Sequence, residues 1–268
     1  MKKFKVIFYI LAIFFVVSCS DKIKKYYPSG EIKSIRNFNN GEKHGTATRY
    51  FENGIKKEKG NWKNNKQEGE WKFYHENGSI KSIVYFQNDF QNGVSTVFTE
   101  KGILKEKSNF KNGKLHGTSA TFYEDGVLKK SFVFDQGRKQ GRSNEYYKSG
   151  NIKQISGWNK NKQNGKFVTF YKNKDTLQIG YLKNGKKNGV FSSFYRHGQL
   201  LSSVTFKNDL QDGLTTFYHE NGQIEQKGKF FKNNPVLVWS FFDVNGKLIK
   251  KETMPNNKNY NTVIPYEN

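Results

Sequence analysis

One cysteine, five arginines, five histidines and a thin supply of aliphatic side chains limit what this 268-residue chain can be. A lone Cys19 excludes an internal disulfide. With 34% of residues apolar and 16% aromatic, about half of the hydrophobic material is Phe, Tyr or Trp. That is too little for a thick two-layer core and suits a thin structure packed by aromatic ladders. Arg36, Arg49, Arg138, Arg142 and Arg196 leave the net charge of +23 almost entirely to lysine, a hydrated point charge poorly shaped for bidentate recognition. Diffuse attraction to polyanions is favoured over a specific phosphate clamp, with solubility and sheet-edge protection as the plainer uses of the same lysines.

Residues that carry chemistry are equally sparse. His44 and His116 fall in loops, His197 in a turn, and His75 and His219 each follow a recurring aromatic residue. No Cys or carboxylate cluster has metal-ligand spacing, and no Ser, His and Asp set stands out. The glycines are periodic, so a G-x-G match is no phosphate loop. The chain is expected to be no enzyme, with no cofactor and no metal.

The long apolar run is confined to the start, where Lys2, Lys3 and Lys5 precede a stretch from Val6 to Val17. It is short for a membrane span but matches the core of a secretory signal. Val16-Val17-Ser18-Cys19 resembles the lipobox of bacterial lipoproteins, in which the cysteine is lipidated. This reading makes 1–18 a lipoprotein-type signal peptide, Cys19 the lipidation site and 19–25 a tether. The mature chain would be an exported, membrane-anchored protein of the cell envelope with a charge of about +20.

What fills the remainder is a repeat. The stretch Gly117 to Gly141, GTSATFYEDGVLKKSFVFDQGRKQG, recurs at a fixed step, with its closing glycine at Gly45, Gly69, Gly93, Gly117, Gly141, Gly165, Gly189 and Gly213. One column is aromatic in every copy: Tyr26, Tyr50, Tyr74, Phe98, Phe122, Tyr146, Phe170, Phe194, Tyr218 and Phe242. A second is Phe, Trp or Leu from Phe38 and Trp62 to Phe230, and a third is mostly aliphatic, including Ile32, Ile80, Leu128 and Ile152. A turn glycine runs from Gly30 to Gly246, replaced once by Lys174. Another turn column alternates Gly, Asn and Asp (Gly41, Asn65, Asp89, Gly113), the types that tolerate positive φ.

A three-residue turn such as Glu52-Asn53-Gly54 sets Tyr50 opposite Lys56 and, one unit on, Tyr74 opposite Ile80. By parity it places Phe122, Leu128 and Phe134 on one face and Thr121 with Lys129 on the other. The expected fold is all-β: an elongated, single-layer antiparallel meander of about ten 24-residue hairpins over residues 26–252, followed by a loose tail at 253–268. On the second face a basic column, Lys33, Lys57, Lys81, Lys105, Lys129 and Lys153, gives way to Leu177, Leu201, Glu225 and Ile249. Phe191, Leu201, Phe217, Trp239, Phe241 and Ile249 form a candidate apolar patch, serving as a cap or a partner site.

Units such as Gly-Glu-Trp-Lys-Phe-Tyr-His-Glu-Asn-Gly-Ser-Ile-Lys at Gly69 to Lys81 resemble the bacterial variant of MORN repeats over about residues 26–250. The unit is slightly longer than the better known MORN pattern, and the His-Gly pair survives only at His44-Gly45 and His116-Gly117. The resemblance implies a twisted single-layer sheet used for protein or lipid contact. Some bacterial relatives are antitoxins and others are exported. Two functions stay open on this basis: an envelope scaffold for proteins, anionic lipid or polysaccharide, and an antitoxin or immunity protein. Nucleic acid is not an expected partner, because the aromatics are accounted for by packing and an exported chain rarely meets it.

Overall fold

The computed structural model describes residues 20–255, and every regular element among them is a strand. The signal-like segment, Cys19 and the tail beyond Pro255 lie outside the described residues. Twenty-three strands, from Ser20–Tyr26 to Leu248–Thr253, form one antiparallel sheet. Three are two-residue pieces, Phe90–Gln91, Arg138–Lys139 and Lys186–Lys187, each continued after one residue by the next strand, so the chain makes twenty passes. Each pass pairs with its sequence neighbours, while the first and last pair on one side only. The open, single-layer meander of hairpins expected from the repeat is therefore the fold. Its two edges carry Lys22, Lys24 and Lys25, and Lys250 and Lys251, charges that discourage edge-to-edge pairing. One boundary shifts. Ser20–Tyr26, expected to be mostly tether, is a strand paired along its length with Ile32–Asn39, which satisfies the backbone groups on its inner side.

The turn chemistry explains the hairpins. Gly126 N–H donates to Tyr123 O at 2.9 Å and Tyr123 N–H to Val127 O at 2.8 Å, with Gly126 at φ 84°, closing a three-residue turn. Tyr50 lies opposite Lys56 and Tyr74 opposite Ile80, as that turn requires. At the other end of each hairpin the chain reverses through two residues that both take positive φ, such as Asn64 (50°) and Asn65 (66°). This is the type I′ geometry that matches strand twist. Positive φ thus extends from the expected Gly/Asn/Asp column to the residue before it. That second position also ties the units together: Asn65 N–H donates to Lys43 O, and the Asn65 Oδ1 accepts from Lys43 N–H at 2.9 Å.

A bulge corrects the expected faces. Arg49 pairs with Glu58 and Tyr50 with Lys56, so Lys57 is left outside the pairing. The same omission recurs at Lys33, Lys81, Lys105, Lys129 and Lys153. One extra residue reverses the parity of the strand beyond it. Phe122 and Leu128 remain opposite one another, but Phe134 pairs with Gly117 and belongs to the other face, with Thr121 and Lys129. Ring contacts confirm the reassignment: Trp62 meets Trp71 edge-on at 5.5 Å, Phe132 meets Trp158 at 5.8 Å, and Phe230 meets Trp239 at 5.2 Å.

Most of the best-buried side chains lie on that same face, including Trp71 (2% exposed), Phe191 (1%) and Trp239 (4%). Each covers a glycine on the preceding pass: Gly60, Gly180 and Gly228. Elsewhere the same pairing reads Ser156 with Phe167 or Val204 with Thr215. Large faces small in most of these pairs, Ser108 with Ser119 being the exception, where two hydroxyls meet at 2.8 Å, and this packs a one-layer face densely without a second layer.

Candidate binding face

All six lysines of the basic column sit at bulges and all are exposed. They project on the face that carries Phe134 and the edge-on ring contacts, opposite the ladder of Tyr50, Tyr74 and Phe122. Lys33 Nζ lies 5.2 Å from the centroid of the Tyr27 ring, Lys57 lies 5.2 Å from Phe51, and Lys129 lies 5.4 Å from Tyr123. Ring quadrupoles hold the ammonium groups there while leaving them hydrated. Lys153 instead pairs with Glu145 at 3.3 Å, a carboxylate shared with Lys130 at 3.4 Å. Among the described residues Lys81 and Lys105 make no ion pair. Between Lys57 and Lys81 lies an open depression of about 500 Å³, with Phe51 and Phe73 among its lining residues.

Two sets of residues on this face were not singled out from the sequence. Lys43, Lys139 and Lys187, each two residues before a closing glycine, lie over aromatic rings: Lys43 at 4.4 Å from Trp62, Lys139 at 4.1 Å from Phe132, and Lys187 at 4.8 Å from Phe206. The second set comes directly after the ladder aromatic. Tyr27, Tyr123, Tyr147, Tyr171 and Tyr195 each donate a hydroxyl hydrogen bond, at 2.7–2.9 Å, to the carbonyl of the ladder aromatic one unit on. His75 and His219 place Nε2 at 3.2 and 3.1 Å from the equivalent carbonyls of Phe98 and Phe242. The recurrence of ring side chains with a polar tip was the available signal. Burial raises the Tyr195 hydroxyl above the ordinary tyrosine range.

The apolar patch divides. Phe191 and Trp239 are core residues, fully covered by their neighbours, and are removed from the surface set. Leu201, Phe217 and Phe241 are half-buried on the face that bears the lysines, and Ile249 is 65% exposed at a bulge. The bulge column on this face thus runs from lysine toward the N-terminal end to Leu177, Leu201 and Ile249 toward the C-terminal end, where Lys187 and Lys250 lie over Phe206 and Phe241.

The opposite face has its own charged group. Lys72 Nζ lies 2.9 Å from Glu70 Oε1, and the Tyr85 hydroxyl donates to Glu70 Oε2 at 2.9 Å. These two hydrogen bonds, that from Lys72 first, lower the Glu70 carboxyl and raise both partners. Among the described residues no three His, Cys, Asp or Glu side chains converge as metal ligands.

The family model described as "MORN repeat variant" matches residues 22–40, 43–64, 67–88, 91–112, 187–208 and 211–233. No curated protein sequence matches the chain. Among solved structures, a Photorhabdus luminescens Tc holotoxin pore aligns over 92% of this chain, at 11% identity and a TM-score of 0.20; the chain spans 15% of that protein. A porin-like protein from Bacteroides uniformis aligns over 88% of this chain and 94% of its own length, at 7% identity and a TM-score of 0.20. The unmatched hairpins between residues 113 and 186 keep the same turns, bulges and pairings as the matched ones. With six repeats identified and the same hairpin continued between them, the chain is a MORN-repeat protein of the variant type.

Proposed function

We propose that this protein is a non-enzymatic repeat scaffold of the cell envelope, exported and anchored through Cys19, that holds an anionic or protein partner along its lysine-bearing face. The observation that carries the reading is the recurrence of an exposed lysine at the same bulge in six successive units. Hydrogen-bonded tyrosines and turn residues hold those units in fixed register, so the charges form an ordered row. Heparin-agarose chromatography at low salt tests it. Wild-type protein should be retained, and changing Lys57, Lys81, Lys105 and Lys129 to Glu should abolish retention. A wild-type protein that flows through sinks the binding reading. Cys19→Ala tests anchoring separately: unchanged processing and membrane fractionation would contradict lipidation.

The apolar end of the same face, with Leu201, Phe217, Phe241 and Ile249, favours a second reading in which a protein partner docks there. In the antitoxin form of that reading the partner is a toxin. A stable complex on co-expression with a neighbouring toxin gene would support it, and normal growth with that neighbour expressed alone would count against it.

A further inference from the structure

We propose that the lysine row binds a linear acidic polysaccharide with one carboxylate per disaccharide, lying across the strands along the long axis of the sheet. The proposal rests on the anionic-partner reading and names its substrate class.

Pitch is the first argument. Successive row lysines are two strands apart, which at the usual inter-strand spacing is about 10 Å. An extended disaccharide advances by nearly that distance, so each lysine of the row meets one carboxylate. The next position along the strand shows no such constancy, reading Ser34, Glu58, Ser82, Glu106, Lys130 and Gln154. The regularity therefore belongs to the bulge.

The surface between the charges suits a sugar ring. Tyr27, Phe51 and Tyr123 lie beneath the ammonium groups of Lys33, Lys57 and Lys129. The depression lined by Lys57 and Lys81 also has Phe51 and Phe73 in its lining, with Glu58 as its one carboxylate. Aromatic rings offer a stacking surface to the C–H face of a pyranose, and the flanking cations fix its carboxylate.

Twist decides between a polymer and a plane. Ten inter-strand steps separate Lys33 from Lys153. At roughly 20° per strand the row turns through about half a revolution. A flat layer of anionic headgroups would meet only part of such a row. A linear polymer can wind with it and meet every lysine.

The test is isothermal titration of the full-length protein, in detergent, with hyaluronan oligosaccharides of two to eight disaccharides. Affinity should rise with each added disaccharide and level off near six. Lys105→Gln, which interrupts the row, should weaken the six-disaccharide chain by about fivefold and leave the two-disaccharide fragment nearly unchanged. Affinity that ignores length, or an unaltered Lys105→Gln variant, overturns the proposal. If heparin fragments bind and hyaluronan oligosaccharides do not, the pitch argument is wrong and the broader anionic reading stands. If neither binds at low salt, both fall.

Discussion

The indole of Trp71 occupies the space that a side chain on Gly60 would need. Phe191 stands in the same relation to Gly180, and Trp239 to Gly228. Each pair is separated by eleven residues, and the exchange of size within it keeps a single layer well packed. Gly180→Val alone should destabilise the protein by about 1–3 kcal/mol through overpacking, and Phe191→Ser alone by about 3 kcal/mol or more. Together they recreate the Val and Ser found at Val84 and Ser95. Their combined cost, from urea denaturation, should fall below the sum of the two by at least about 1 kcal/mol. Strict additivity would show that the size exchange is incidental.

Leu237 holds the place of a closing glycine at φ 62°. The left-handed conformation costs a side-chain-bearing residue about 1–2 kcal/mol, while glycine would add unfolded-state entropy of about 0.5–1 kcal/mol. Leu237→Gly should therefore stabilise the last hairpin by roughly 0.5–1 kcal/mol, read as a raised urea midpoint. Lys174, at φ 79°, should respond in the same direction to Lys174→Gly. A lowered midpoint in both variants would mean that the strain is compensated by contacts of the side chains.

Much of this was legible before the structure. A fixed period, a ladder of aromatics and glycine at turn positions were enough for the hairpins, their number and the pairing of Tyr50 with Lys56. The face of Phe134 was not, because a bulged residue such as Lys129 reads in the sequence as one more step of a strand. Parity counted through it gives the wrong side for everything beyond. The lysines were recognised as a column, whereas their reason for projecting, exclusion from the ladder, is a property of pairing. Phe191 and Trp239 looked like surface residues because nothing covers the sheet from a second layer. They are buried laterally, by rings on adjacent strands and by glycines beneath them.

Where a tyrosine follows the ladder aromatic, as at Tyr27, Tyr123, Tyr147, Tyr171 and Tyr195, it fastens one unit to the next. Tyr147→Phe removes the donor to Phe170 O and should cost about 1 kcal/mol. Phe51 occupies the same column without a hydroxyl, so Phe51→Tyr should gain a comparable amount by reaching Tyr74 O. Thermal denaturation of both variants checks the pair. Opposite shifts are expected, and equal shifts of either sign would remove the fastening role.

Glu70 is held below its ordinary value by Lys72 and Tyr85, so its carboxylate contributes stability above the unfolded-state pKa and loses it as pH falls through the lower folded value. The Glu70 side-chain carboxyl resonance should titrate below the usual carboxylate range. In a Lys72→Gln, Tyr85→Phe double variant the midpoint should return to that range. An unchanged midpoint would assign the shift to something other than these two hydrogen bonds.

The claim that binding depends on the bulge row rather than on total charge is tested most directly by comparing two variants of equal charge on heparin-agarose. One changes Lys57, Lys81, Lys105 and Lys129 to Glu. The other makes the same change at the hairpin-tip lysines Lys63, Lys66, Lys111 and Lys114, which pair across type I′ turns. The row variant should pass through at low salt while the tip variant elutes close to wild type. Equal loss of retention in both would show that net charge alone is responsible and that the row has no special part in binding.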